Sequence, residues 1–487
     1  MSATTPRTTD GGSPAGHSQA RTMTALLAPL FVALMSISIV NVALPAIETG
    51  VGASAADLQW VLSGYALAIG VALVPAGRAG DLWGRRRFFL LGAGLFGAAS
   101  LLCAAAPTPT VLNIGRVLMG LGAGVLTPQI IGMIQSLFDG AARGRAYGLM
   151  GTVIGAAVAF GPTVGGVLID VAGDDAGWRL TFLINVPVAL AACVLAVLWL
   201  PQDARGSASP GRGIAGLKAL DPLGVLLLCT GVLLVMVPFL GVSVWVGVLM
   251  GTCGVAVMTL WVLWERRLGA RADASPMVDL RLFSVPSFTL NSLVLSLYFT
   301  GMPAVWAVVA VYVQQGLGYS AVVAGLVTLP SAVMVMALSS SVGRRVERRG
   351  VIFLVVGTTA AVASMLLVAV VGWLADTVWG APGVLAAVVA LVGLSQALII
   401  PSAQTLSMEQ VPTSMAGAAG GVAQTAQRLA TAVGIAVLTA VYFAAAESQG
   451  HAVGLVVAAL VIAGLLAPAA VTAWLIAHRL RESPRHR

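Results

Sequence analysis

The chain has 487 residues, of which 59% are hydrophobic and only 9% charged, and its mean hydropathy is +0.97. A soluble domain carries about 25% charged residues, so this composition excludes an ordinary water-soluble enzyme or binding module. The net charge of +8 needs no nucleic acid to explain it, because the arginines mark one side of a membrane.

Fourteen apolar stretches predict helices at 23–45, 58–77, 88–106, 109–136, 146–170, 180–200, 222–240, 243–264, 286–314, 320–342, 351–372, 383–405, 417–444 and 452–477. A bilayer core takes about 20 apolar residues per helix, and inside it each backbone group must be satisfied within its own segment. With the N-terminus inside, 23 of the 26 basic residues fall on inner loops or tails; Arg179 lies outside, and Arg116 and Arg428 lie within spans. The positive-inside rule then predicts cytoplasmic termini and an even helix count.

Residues 1–22 are polar, rich in Ser, Thr, Gly and Pro, and lack the apolar core of a cleavable signal. They read as a disordered cytoplasmic tail before a signal-anchor helix. A six-helix half (23–200), a linker (201–221), two further helices (222–264), a second linker (265–285), a second six-helix half (286–477) and a basic tail (478–487) follow. Cys103, Cys193, Cys229 and Cys253 all fall in spans, where they read as small core residues rather than disulfide or metal partners.

Two short matches suggest an internal repeat. Gly120 stands eight residues before Pro128 in the fourth span, and Gly393 stands eight before Pro401 in the twelfth. The arginine-rich loop 80–87 follows the second span, and 343–350 follows the tenth. Both pairs are offset by eight helices. The fold class expected is therefore an all-α polytopic membrane protein with two pseudo-symmetric six-helix halves and two inserted helices. Such repeats build a central site that opens alternately to each side.

In the second loop, Asp81 has two candidate partners, a helix N-terminus or Arg85. In the fifth span, Gly151 and Gly155, then Gly161 and Gly165 beside Gly166, form small-xxx-small pairs that let helix backbones approach closely. Pro162 removes one helical hydrogen bond and bends the rod. Arg116 costs about 2.5–3.5 kcal/mol near a membrane-helix centre, so it must face the protein interior or a wet cavity. None of the 18 acids and none of the four histidines falls at mid-membrane.

Five stretches stand out together: Ile39 to Pro45; Gly77, Asp81, Gly84 and Arg85 to Arg87; Arg116 with Gly120; Gly161 to Gly166; and Trp178-Arg179 through Asn185-Val186-Pro187. In this order they resemble the Major Facilitator Superfamily, in particular its fourteen-helix drug/proton antiporter branch, over about residues 25–480. The resemblance implies a conformational latch at Gly77, Asp81, Gly84 and Arg85, with plain topology-setting charge as the alternative. It implies a seal at Gly155, Gly161, Pro162, Gly165 and Gly166, with ordinary glycine-rich packing as the alternative. The family's first helix carries an acid where this chain has Ser36, so the usual proton carrier is missing.

A fixed positive charge without a buried acid should favour anionic or neutral polar substrates. The expected pathway is Ser36, Asn41, Arg116, Gln129, Asn291, Gln396, Gln424 and Arg428, with Ser38, Gln404, Tyr65, Tyr298 and Trp306 as further lining candidates. The alternative for Arg116 is a structural role, bonded to backbone carbonyls or to Gln129. The function expected is export of small organic compounds across the inner (plasma) membrane. A proton or other ion gradient would drive it, without cofactor, metal or nucleic-acid partner, in a monomer in contact with substrate and bilayer. An importer or facilitator and a non-transporting sensor remain alternatives. No set of nucleophile, base and metal ligands at depth suggests an enzyme.

Overall fold

Length and hydropathy dictate an all-helical solution, and the computed structural model gives one. It describes residues 16–202, 220–239, 244–270, 276–319, 321–374 and 382–482. Thirteen helical runs follow one another: α1 (Gly16–Val51), α2 (Ala55–Trp83), α3 (Arg85–Ala104), α4 (Pro109–Leu137), α5 (Gly140–Leu183), α6 (Asn185–Trp199), α7 (Pro222–Met236), α8 (Val244–Gly269), α9 (Pro286–Val311), α10 (Ala321–Trp373), α11 (Pro382–Ser407), α12 (Ala416–Gln449) and α13 (His451–Glu482). Among the described residues there is no strand. Among them eleven helices are long and apolar enough to cross a membrane.

Two runs each hold more than one span. α5 is helical throughout except at Gly173, whose φ of 78° and ψ of 168° suit a residue without a Cβ. There the chain folds back, since Gly177 packs against Leu168 and Ile169. In α10, Ser331 touches Gly393 of α11, while Gly357 touches Ile399, only six residues further along α11. A straight helix would hold Ser331 and Gly357 about 39 Å apart, so the run turns back between them and supplies two spans. With the second arm of α5 running on into α6, the described residues form about fourteen helices.

The break predicted at 171–179 is therefore a turn at the non-helical Gly173, and the one predicted at 343–350 falls within a continuous helical run. α1 also begins seven residues before the predicted Met23, because Gln19-Ala20-Arg21 continue its hydrogen bonding beyond the apolar stretch. The expected disorder of 1–15, and most of the linker 201–221, lie outside the described residues.

Local chemistry fixes the helix starts. Ser54 accepts from the Asp57 amide while Asp57 reaches back to the Ser54 amide, a capping box. Thr108 caps α4, whose first residue is Pro109. One cluster unites Met23 and Leu26 of α1, Ile130 and Ile134 of α4, Phe288 of α9 and Met408 beyond α11, which joins the two halves at one end of the bundle. Ile476 of α13 lies beside Pro286 and Glu409 at that same end. The start of α1 and the end of α13 thus share one side, called here the terminal side. α7 sits against α2, with the Met236 sulfur 3.2 Å from the Cβ position of Gly70, and α7 and α8 lie outside both halves.

Candidate functional site

α2 ends at Gly84 with a φ of 109°, a conformation that L side chains rarely adopt, and α3 starts at the next residue. This sharp corner aims Asp81 away from its own helix. Its side chain is 1% exposed, and Oδ1 accepts from Arg85 Nε at 3.0 Å and Nη2 at 2.9 Å. Oδ1 also accepts from the Gly417 amide at 3.1 Å, and Oδ2 from the Ala418 amide at 2.9 Å. Asp81 is therefore a carboxylate at the N-terminus of α12, where free amides and the helix dipole favour negative charge.

Both partners read from the sequence are present at once, and the helix belongs to the opposite half. Arg85 extends the tie by donating to Gly132 O of α4 at 2.7 Å and to Thr413 O before α12. A Cβ on Gly77 would run into the Gly417 carbonyl, so α2 and α12 touch backbone to backbone. The contact climbs through Gly421 on Leu73 and Val74 to Thr425, whose hydroxyl donates to Gly70 O at 3.4 Å.

The second seam between the halves lies along α5 and the first arm of α10. Gly144 and Gly148 meet Gly343, Gly151 meets Ser339 and Pro401, and Gly155 meets Val335. The other glycine pair behaves differently. Gly161 sits on Ser38, whose hydroxyl donates to Ala157 O at 3.2 Å, and Gly165 sits on Ile39. Both contacts are with α1, inside one half. The glycines expected to form one seal therefore divide: Gly155 meets the opposite half, and Gly161 and Gly165 do not. The α-helical register turns Gly161 and Gly165 toward α1. Gly166 faces open space, and Pro162 lies within helical backbone.

Arg116 stands seven residues after Pro109, about 10 Å along the axis, and is 1% exposed. It lies midway between the start of α4 and its centre. Nε donates to Val61 O at 2.7 Å and Nη1 to Ser36 O at 3.5 Å. Its guanidinium carbon lies 4.3 Å from the Tyr65 ring centroid and 5.8 Å from that of Phe182. Tyr65 in turn donates to Ala33 O at 2.6 Å. Among the described residues, no carboxylate pairs with this guanidinium; the ion pairs are Arg85–Asp81, Arg143–Asp139 and Arg179–Asp175. Of the two structural partners weighed for it, backbone carbonyls hold Arg116 and Gln129 does not. Gln129 donates to Ala76 O at 2.7 Å and packs beside Gly80.

The remaining pathway positions divide. Ser36 is fully buried and its hydroxyl has no partner. Asn41 is exposed, with its amide turned back to Ile37 O at 3.2 Å. Asn291 is buried near the terminal side and donates to Ser287 O at 2.8 Å. Gln396, Gln424 and Arg428 are partly buried, and among the described residues none of the three side chains has a hydrogen-bond partner. The structure thus brings Ser36 and Tyr65 to Arg116, and leaves Asn41, Gln129 and Asn291 elsewhere.

Sequence reasoning missed one buried pair. Asp221 and Glu265, placed at the membrane edge, are 4% and 1% exposed. Both carboxylates reach the space beside Gly224. Trp264 Nε1 donates to both Asp221 oxygens at 3.0 Å, and Trp261 Nε1 donates to Glu265 Oε1 at 3.1 Å. The signal was Trp261 and Trp264 in the same turn as Glu265. Among the described residues, no group of His, Cys, Asp and Glu could hold a metal ion.

A helical membrane bundle with two halves, tied together on one side by a carboxylate at a helix N-terminus, is the architecture of a transport protein. The Major Facilitator Superfamily profile matches residues 26–435, and the chain belongs to that family. It is 32% identical over 435 residues to the probable actinorhodin transporter of Streptomyces coelicolor, covering 86% of this chain and 72% of that protein. It is 32% identical over 471 residues to the puromycin resistance protein pur8 of Streptomyces alboniger, covering 93% and 90%. The solved proton:xylose symporter XylE shares the fold, with a TM-score of 0.66 at 17% identity, covering 94% of this chain and 96% of that one.

Proposed function

We propose that this protein is a secondary active transporter that exports small organic compounds across the cell membrane by alternating access. One structural observation carries the alternating-access part: the contacts that join the halves through α2–α12 and α5–α10 cluster on the terminal side. A bundle closed there and free to part there is a gate. The export part is supported by relatives named as the tetracenomycin C resistance and export protein of Streptomyces glaucescens, 30% identical over 420 residues, and the multidrug efflux pump LfrA of Mycolicibacterium smegmatis, 30% identical over 433 residues.

The terminal side is the cytoplasmic side on this reading, because the arginine-rich loops lie there. The two halves are pseudo-symmetric repeats: Gly120 packs against Tyr65 and Ala68 of the second span, and Gly393 packs against Ser331 of the tenth, an equivalence offset by eight helices. The protein acts as a monomer.

A gradient-independent facilitator is the second reading, favoured by the lack of an acid at mid-membrane. Dye flux into everted vesicles, with proton and sodium gradients imposed separately, separates the two. Uphill accumulation under either gradient supports the antiporter. Equilibration that ignores both gradients favours the facilitator, and no flux at all removes the transport reading.

A further inference from the structure

The two span-embedded arginines differ in their surroundings. Arg116 is enclosed by two backbone carbonyls and two aromatic rings. It clamps α1, α2 and α4 of one half together, and its donors face protein. Arg428 is the opposite case. It lies twelve residues after Ala416, the first residue of α12, about 18 Å along the axis, near mid-membrane depth. It is only partly buried and has neither a hydrogen bond nor an ion pair among the described residues. Gln424, one turn before it, is equally unbonded, and the Gln427 amide nitrogen is buried without a partner.

Charge placement adds direction. α12 is the helix whose N-terminus the latch holds, so Arg428 is on the element that must shift when the halves part. It lies one turn beyond Thr425, whose hydroxyl bonds Gly70 O of α2 across the halves. A guanidinium kept at that depth without a protein anion is a costly feature unless a ligand supplies the anion.

Granted the export function proposed above, we propose that Arg428, and not Arg116, is the specificity-determining cation: it binds the acidic group of an anionic organic compound. Arg116 is a positioning residue that holds Tyr65 in place.

The test uses anilinonaphthalenesulfonate and its uncharged parent N-phenylnaphthylamine, which differ by one sulfonate. Binding to the purified full-length protein is read by dye fluorescence, and flux is read in everted vesicles. Arg428→Gln should weaken binding of the sulfonate relative to its parent by about tenfold to a hundredfold, the loss expected for a charged hydrogen-bonded contact. Arg428→Lys should recover much of that loss, because the charge returns even without the fork. Equal losses for both dyes in Arg428→Gln, no loss for either, or no sulfonate binding to the unaltered protein would each overturn the assignment. Flux decides the export reading separately. Sulfonate binding that depends on Arg428 in a protein that moves neither dye would keep the site and remove the exporter.

Discussion

The Asp81 carboxylate accepts the backbone amide of Ala418 at 2.9 Å across 337 positions of sequence. That bond crosses from one half of the protein to the other and ends on the first turn of α12. A single side chain therefore holds two helices that must separate when the terminal side opens.

Asp81→Asn should loosen that side. A hydrogen bond to a charged group contributes about 1.5–3 kcal/mol, so the closed form should lose at least about tenfold in relative population. A cysteine at Thr425, buried under the closed seam, should then label faster with an impermeant maleimide added from the terminal side. Unchanged labelling would mean that the carboxylate is not what holds the gate.

The glycines of α5 give a contrast within one helix. Leucine at Gly161 would collide with the Ser38 hydroxyl, whereas leucine at Gly166 meets open space. Overpacking costs about 1–3 kcal/mol, so Gly161→Leu should lower thermal stability measurably and Gly166→Leu should not. Equal effects would contradict the packing described.

Arg116→Lys should be poorly tolerated despite keeping the charge. An ammonium cannot reproduce the planar stack on Tyr65 together with the bond to Val61 O. Reduced stability, with flux of charged and neutral dyes falling together, is the expected pattern in melting and vesicle assays. Selective loss of anion flux would transfer to Arg116 the role assigned to Arg428.

Asp221 and Glu265 predict an asymmetry. Two carboxylates crowded beside Gly224 repel when both are ionised, so Glu265→Gln should leave stability unchanged or raise it. Trp264→Phe leaves Asp221 without its indole donor and should cost about 1–3 kcal/mol. Denaturation of the purified variants ranks them.

The helix count and the arginine asymmetry were legible because lipid imposes them on every span. The latch was half legible: Asp81 and Arg85 stand one turn apart, but nothing local says that the partner amides are those of Gly417 and Ala418. Arg116 stood out for its cost, yet its partners are the carbonyls of Val61 and Ser36, groups every residue carries, so no pattern of letters could name them. The turn within α10 was misread as a loop because Arg344 to Gly350 looks like a polar connection while its residues remain good helix formers. Glu265 looked peripheral because hydropathy falls there, whereas its burial comes from Trp261 and Met277, which hydropathy does not see.

At Gly144, Gly148 and Gly343 the halves meet through bare main chain. A seam without interlocked side chains has no rotamers to rearrange when it opens, so the two halves are free to slide and tilt like smooth plates. Resistance to that motion then comes from the polar ties and the apolar cluster on the terminal side rather than from this stretch of bare main chain.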